Sequence, residues 1–272
     1  MYHFQKQPFI EFPDLNLGVI ENNLRTSAHN TTALKLPPGK WSAKGQNGVI
    51  RSFVASRKKY LFLKRGFDFL FSTLVLLLVM SWLVPLISLI IIIDSKGPVF
   101  FRQKRIGRNG KAFYCIKFRT MIQNQEADDR PAEENDERIT KAGKILRLTN
   151  LDELPQFFNV LAGQMSVVGP RPHMLVDCIR FSFVIPSYQF RDLIRPGITG
   201  WAQVNGYHGL TADYDSIILR YYWDAQYVRK ASLWLDLKII GATIIQIIRN
   251  IRSVFPALFL KKSISSATNE VV

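Results

Sequence analysis

The chain has 272 residues, 47% of them hydrophobic, and carries 36 Lys and Arg against 21 Asp and Glu, a formal net charge of +15. That is material for one globular core plus extras, and the charge calls for an anionic partner: nucleic acid, anionic lipid or a phosphorylated substrate. Nucleic acid is excluded by Phe69–Ile93, a run of 25 uncharged residues that has no place in a soluble nucleic-acid binder.

Residues 1–56 mix Asn, Thr, Ser, Pro and Gly without sustained periodicity and read as a partly flexible N-terminal extension. Residues 57–95 form a membrane segment. The apolar run is long enough to cross a hydrocarbon core of roughly 30 Å, but Pro85 lies inside it, where it deletes a helix hydrogen bond. Basic residues flank it on both sides: Arg57, Lys58, Lys59, Lys64 and Arg65 before, Lys96, Arg102, Lys104, Arg105, Arg108 and Lys111 after. Lys and Arg hold the end of a membrane segment in the cytoplasm, and here both ends demand it. The expectation is a re-entrant helix hairpin bending near Ser81–Pro85. A single span with a tolerated proline is the alternative.

Residues 96–255 read as the cytoplasmic catalytic domain and 256–272 as a C-terminal tail. Val99–Phe101 and Ala112–Phe118 have strand composition, joined through Gly107–Gly110. Asn124–Arg138 is a charged surface loop, and Ile139–Leu148 a short basic helix. In LDELPQFFNVLAG the pattern predicts a helix from near Asp152 to Gly163, with Leu154, Phe157, Phe158 and Leu161 buried, because Pro155 fits only the first turn. QMSVVGPRP is a short strand entering a proline-fixed turn, followed by a helix-rich region broken at Arg195-Pro196-Gly197. Leu233–Ile251 suits either an interfacial membrane helix or a buried one. The fold class is therefore α+β, helix-rich, anchored by the re-entrant helix and by amphipathic interfacial helices.

The chemistry centres on Asp152-Glu153. Two carboxylates at a helix start are favoured in their ionised form; an ionised aspartate can serve as a nucleophile, and its neighbour can hold a hard cation. The same pair also fits an ordinary N-cap. Arg147 upstream and Arg171, fixed between Pro170 and Pro172, present forks that match phosphate oxygens. Lys117 and Arg119 place further positive charge at a strand end. Cys115 and Cys178, 63 positions apart, read as reduced and buried. His3, His29, His173 and His208 have no metal-ligand spacing, and neither a Walker-type phosphate loop nor a serine elbow occurs.

Taken together, RQKRIGRNGKAFYCIKFRTM, RITKAGKILRLTNLDELPQFFNVLAGQMSVVGPRP, RPGITGWAQVNG and SLWLDLKII resemble the bacterial sugar transferases, the monotopic phosphoglycosyl transferases, over residues 60–250. The resemblance implies transfer of a sugar 1-phosphate from a UDP-sugar to undecaprenyl phosphate with release of UMP, glucose leading and galactose next, as the first membrane step of exopolysaccharide synthesis. It implies Mg²⁺, with Asp152 as covalent nucleophile, Glu153 and Asp152 at the metal, and Arg147, Arg171, Lys117 and Arg119 on phosphate. Pro170 and Pro172 would be structural, and Pro85 would mark the membrane bend. The implied partners are the donor, a polyprenyl phosphate acceptor and inner-membrane lipids, at the cytoplasmic face, with a homo-oligomer left open. A lipid diphosphate hydrolase and a non-catalytic membrane scaffold remain as alternatives.

Overall fold

The computed structural model describes residues 56–122, 136–185, 188–207 and 214–267. The expected N-terminal extension up to residue 55, most of the charged loop, and His3, His29 and His208 lie outside the described residues. Among the described residues the architecture is helix-rich with two small sheets, as expected for an α+β chain.

Helix α1 (Lys58–Val75) runs through a π turn at Leu76–Met80 into α2 (Ser81–Asp94). The flanks of the π turn keep right-handed helical dihedrals, so the apolar segment is helical throughout and no loop divides it into two arms. The irregularity falls one turn ahead of Pro85, and π turns and prolines are the usual sites of helix kinks. A straight helix of 37 residues would measure about 55 Å. Both of its ends are nevertheless bonded to the same body. Near the start, Lys64 Nζ donates to Asp236 at 2.8 Å, and Asp68 accepts from Ser166 Oγ and Val167 N. At the finish, Asp94 Oδ2 accepts from Ala142 N at 3.0 Å. Lys64, Asp68 and Ser72 recur every four residues and form a buried polar stripe. The remaining faces are bare: Phe62, Leu70, Leu77, Leu78 and Ile93 are all more than 60% exposed. Only 17% of the most apolar window is buried, an apolar surface that water does not favour.

Strands β1 (Phe100–Ile106) and β2 (Ala112–Phe118) pair antiparallel, Phe100 opposite Phe118 and Ile106 opposite Ala112. The strand pair is longer than its apolar ends suggest, because Arg102, Gln103, Lys104 and Arg105 belong to β1 itself. Helix α3 (Lys141–Leu148) follows, capped by Thr140, whose hydroxyl accepts from Gly143 N. A 3₁₀ turn at Leu151–Glu153 leads to α4 (Gln156–Leu161), which ends at Gly163 with φ 77°. The expected helix start at Asp152 is thus corrected: Pro155 is the N-cap, and the two carboxylates stand in the preceding turn. The expected buried face is also shifted. Phe157 and Val160 are in the core, whereas Phe158 is 43% exposed.

Strand β3 (Ser166–Val168) pairs in parallel with β4 (Gly197–Thr199), a strand that its glycine-proline surroundings conceal. The two backbones touch: a Cβ on Gly197 would lie 2.1 Å from Gly169 N, so only glycine allows this approach. Helices α5 (Leu175–Val184), α6 (Trp201–Val204), α7 (Tyr214–Lys230) and α8 (Leu233–Ala267) complete the fold. No break marks the expected tail at 256, since α8 continues to Ala267. This helix buries some of its residues and exposes others. Asp236 and Ile239 are buried, while Trp234, Leu237, Ile244, Ile245 and Ile248 leave a second, apolar row exposed.

Candidate active site

The carboxylate pair owes its position to Asn150, whose φ of 58° turns the chain sharply after α3. Asparagine is among the residues best suited to that left-handed conformation. Asp152 and Glu153 then fall on a buried turn, 8% and 9% exposed. Lys117 reaches them from the end of β2, where its Nζ donates to Glu153 Oε1 at 2.6 Å. Arg171 arrives from the turn after β3 and grips both Glu153 oxygens. That turn is held rigid by proline on either side and by the Gly169–Gly197 contact. Pro170 O accepts from Gly197 N, and Pro172 O accepts from Arg105 Nη1.

Arg147, at the end of α3, has its Nε on Thr120 Oγ1 at 2.8 Å and lies close enough to favour an ionised Asp152. Thr120 was not legible as a site residue. The one trace of it is Gly143, where a Cβ would fall 2.0 Å from Thr120 O, so α3 packs directly on that backbone. The structure therefore brings Asp152, Glu153, Lys117, Arg147 and Arg171 together. It does not bring Arg119. That guanidinium is buried and donates to Ser95 O and Lys96 O, both at 2.6 Å, and at 3.4 Å to Ile91 O, closing the C-terminus of α2. It serves the orphan carbonyls of a helix end rather than a phosphate.

The two neighbouring carboxylates differ sharply. Burial alone would raise Glu153, but Arg171 and Lys117 outweigh it and hold Glu153 well below the usual carboxylate range. Asp152 accepts no hydrogen bond among the described residues. Burial and the Glu153 charge push its pKa up to about 6, against the pull of Lys117, Arg147 and Arg171. Of the two acids expected to ionise readily, Glu153 is held ionised by its cations, whereas burial opposes the ionisation of Asp152. Cys115 and Cys178 are free and buried, as expected.

The described residues hold no cluster of three or more His, Cys, Asp or Glu suited to a metal. Mg²⁺ needs fewer protein ligands, since one or two carboxylates with water and substrate phosphates complete its shell. Asp152 and Glu153 fit it in number and in hardness.

A buried acid pair ringed by Lys117, Arg147 and Arg171 beside a long apolar helix suits phosphate chemistry at a lipid surface. The family model described as bacterial sugar transferase matches residues 59–250. The chain belongs to that family. Among bacterial sugar transferases, it is 44% identical over 183 residues to a UDP-glucose:undecaprenyl-phosphate glucose-1-phosphate transferase of Escherichia coli (strain K12), covering 67% of this chain and 39% of that relative. It is 43% identical over 186 residues to a UDP-N-acetylgalactosamine-undecaprenyl-phosphate N-acetylgalactosaminephosphotransferase of Aeromonas hydrophila, covering 68% and 43%. It is also 43% identical over 190 residues to an exopolysaccharide production protein of Rhizobium leguminosarum bv. phaseoli, covering 68% and 94%. The chain thus spans about two fifths of the first two relatives and nearly all of the third.

Proposed function

We propose that this sugar transferase moves a sugar 1-phosphate from a UDP-sugar to undecaprenyl phosphate and releases UMP, as the first membrane step of exopolysaccharide synthesis. The observation that carries the reading is Asp152 itself: a buried carboxylate that accepts no hydrogen bond among the described residues, while three cations and a second carboxylate surround it. A structural N-cap would be spent on a backbone N–H. Asp152 attacks the phosphorus that bears the sugar. The bond from that phosphorus to the UMP oxygen breaks, and UMP leaves with the electron pair. An oxygen of the lipid phosphate then attacks the same phosphorus and frees Asp152. Lys117, Arg147 and Arg171 offset charge on the phosphoryl oxygens. A covalent intermediate lets a soluble donor and a membrane-borne acceptor use one site in turn.

Magnesium would be held by Glu153 and Asp152 and would neutralise the donor diphosphate. Because Glu153 is paired with Lys117 and Arg171 in this structure, those two cations are the groups that would turn from Glu153 to phosphate when donor and metal arrive. Glucose is the leading sugar and galactose the next. The near-equal identities to a glucose and an N-acetylgalactosamine enzyme leave that choice to a substrate panel.

For the membrane, the reading is re-entry at the cytoplasmic face of the inner membrane. Both ends of the apolar helix bond to one body, and α8 adds an exposed apolar row. Single cysteines at the exposed positions Lys59 and Lys104 should react from the cytoplasm alike; periplasmic labelling of either would rule out re-entry.

The catalytic reading is tested with purified full chain, undecaprenyl phosphate, Mg²⁺ and a panel of UDP-sugars. Acceptor-dependent UMP release is expected. Without acceptor, a phosphosugar mass should appear on the peptide containing Asp152. Steady UMP release without acceptor would mark a hydrolase, and an adduct on another residue would overturn the assignment. No turnover with any donor would favour a scaffold.

A further inference from the structure

Bonded to the Pro170–Arg171–Pro172 turn is a second charged pair, Arg191 and Asp224. Arg191, in a 3₁₀ turn at Tyr188–Leu193, and Asp224, on α7, are each 2% exposed along their side chains. Arg191 Nε and Nη2 donate to Asp224 Oδ2 at 2.9 and 2.7 Å. The same Nη2 donates to Arg171 O at 2.5 Å. Nη1 lies 3.3 Å from His173 Nδ1, and the guanidinium carbon sits 5.3 Å from the centre of the Tyr188 ring. All three carbonyls of the turn are thereby pinned, Pro170 by a backbone amide, Arg171 by Arg191 and Pro172 by Arg105.

A buried ion pair is seldom the most stable way to fill a core, because desolvating two charges offsets their attraction. What this pair does that apolar side chains cannot is hold a backbone oxygen of the very residue whose side chain grips Glu153. The planar fork holds Asp224 through Nε and Nη2 together, which fixes the direction in which Nη2 meets the Arg171 carbonyl.

We propose that Arg191, held by Asp224, is a positioning residue: it fixes the Arg171 backbone and so keeps the Arg171 guanidinium against Glu153, ready for phosphate. This rests on the phosphate-binding role given to Arg171 above.

The test is a double-mutant cycle on purified full chain, read as UMP-release kcat/KM beside a thermal melt. Arg191→Lys keeps the charge opposite Asp224 but loses the fork. It should melt as a folded protein and lose about ten- to a hundredfold in kcat/KM, the scale set by small misplacements of a site. Arg171→Ala should lose more, and the pair Arg171→Ala/Arg191→Lys should lose no more than Arg171→Ala alone, since neighbours acting through one group are not additive. A brace that merely stabilised the fold would give losses that add. Additive losses, or wild-type kcat/KM in Arg191→Lys while Arg171→Ala is inactive, would overturn the clamp and leave the site reading intact. Full activity in Arg171→Ala would instead overturn the site reading. Should Arg191→Lys not fold, Asp224→Asn carries the same cycle: its amide oxygen still accepts from Arg191, and its milder loss must likewise vanish on the Arg171→Ala background.

Discussion

Arg171 meets Glu153 fork to fork, Nη1 on Oε2 at 3.0 Å and Nη2 on Oε1 at 2.5 Å, and Lys117 shares Oε1. One carboxylate thus takes two cations, while its neighbour in the chain, Asp152, takes no hydrogen bond among the described residues. Adjacent acids pushed in opposite directions are a common way to divide roles in a site.

The first prediction is a pH profile. Protonated Asp152 is not a nucleophile, so kcat/KM should fall as pH drops through about 6. Lys117 favours the ionised form, so Lys117→Met should move that acid limb to higher pH. The Glu153 charge opposes ionisation, so Glu153→Gln should move the limb of its residual activity lower. UMP release measured from pH 4 to 9 reads both shifts. A limb unmoved in both variants would remove Asp152 as the titrating group.

Asp152→Asn keeps the size of the side chain but loses the charge that the proposed attack requires. Turnover should drop by several powers of ten with the melting curve retained, and the acceptor-free adduct should disappear. Activity within tenfold of the parent would count against covalent catalysis.

Arg119 and Arg171 should behave as opposites. Arg119→Met leaves helix-end carbonyls unsatisfied and should cost about 1.5–3 kcal/mol of stability, while the KM for donor in the folded fraction stays put. Arg171→Ala should keep most of its stability and lose activity. Denaturant melts paired with kinetics separate the two, and a raised donor KM in Arg119→Met would return Arg119 to the phosphate site.

Asp236 accepts from Lys64, Tyr60 and Tyr227 at the junction between the apolar helix and α8. Asp236→Ala strands a buried ammonium and should cost about 3–5 kcal/mol. The pair Lys64→Met/Asp236→Leu should recover much of that loss. Thermal melts in detergent decide it; equal losses in the single and double variants would mean that the ion pair is not what joins the two helices.

Gly143→Ala tests the support of Arg147. Its Cβ must displace Thr120 O, and Thr120 orients Arg147. Activity should fall although residue 143 is outside the site. Gly66→Ala, in open space on α1, should be neutral or stabilising by up to about 1 kcal/mol. Equal activity in both variants would show that Arg147 does not depend on this contact.

The sequence by itself offered the candidate residues for chemistry and determined the apolar helix. A run such as Phe69–Ile93, basic flanks and an Asp-Glu pair near Pro-Arg-Pro are local signals, readable because each rests on composition or on residues a few positions apart. The glycine stop at Gly163 and the strand from Ala112 are local in the same way. Tertiary structure alone decided which cation serves which partner. Lys117 and Arg119 stand two residues apart on one strand end and read alike, yet one faces Glu153 and the other closes α2. The cations that reach each acid decided that Asp152 and Glu153 titrate apart: both are buried, but Arg171 and Lys117 bond to Glu153. The parallel β3–β4 contact, Thr120 behind Arg147 and Arg191 behind Arg171 join residues 20 or more positions apart in sequence. A one-dimensional pattern carries no distance between such positions, and the strength of a hydrogen bond or an ion pair is set by that distance.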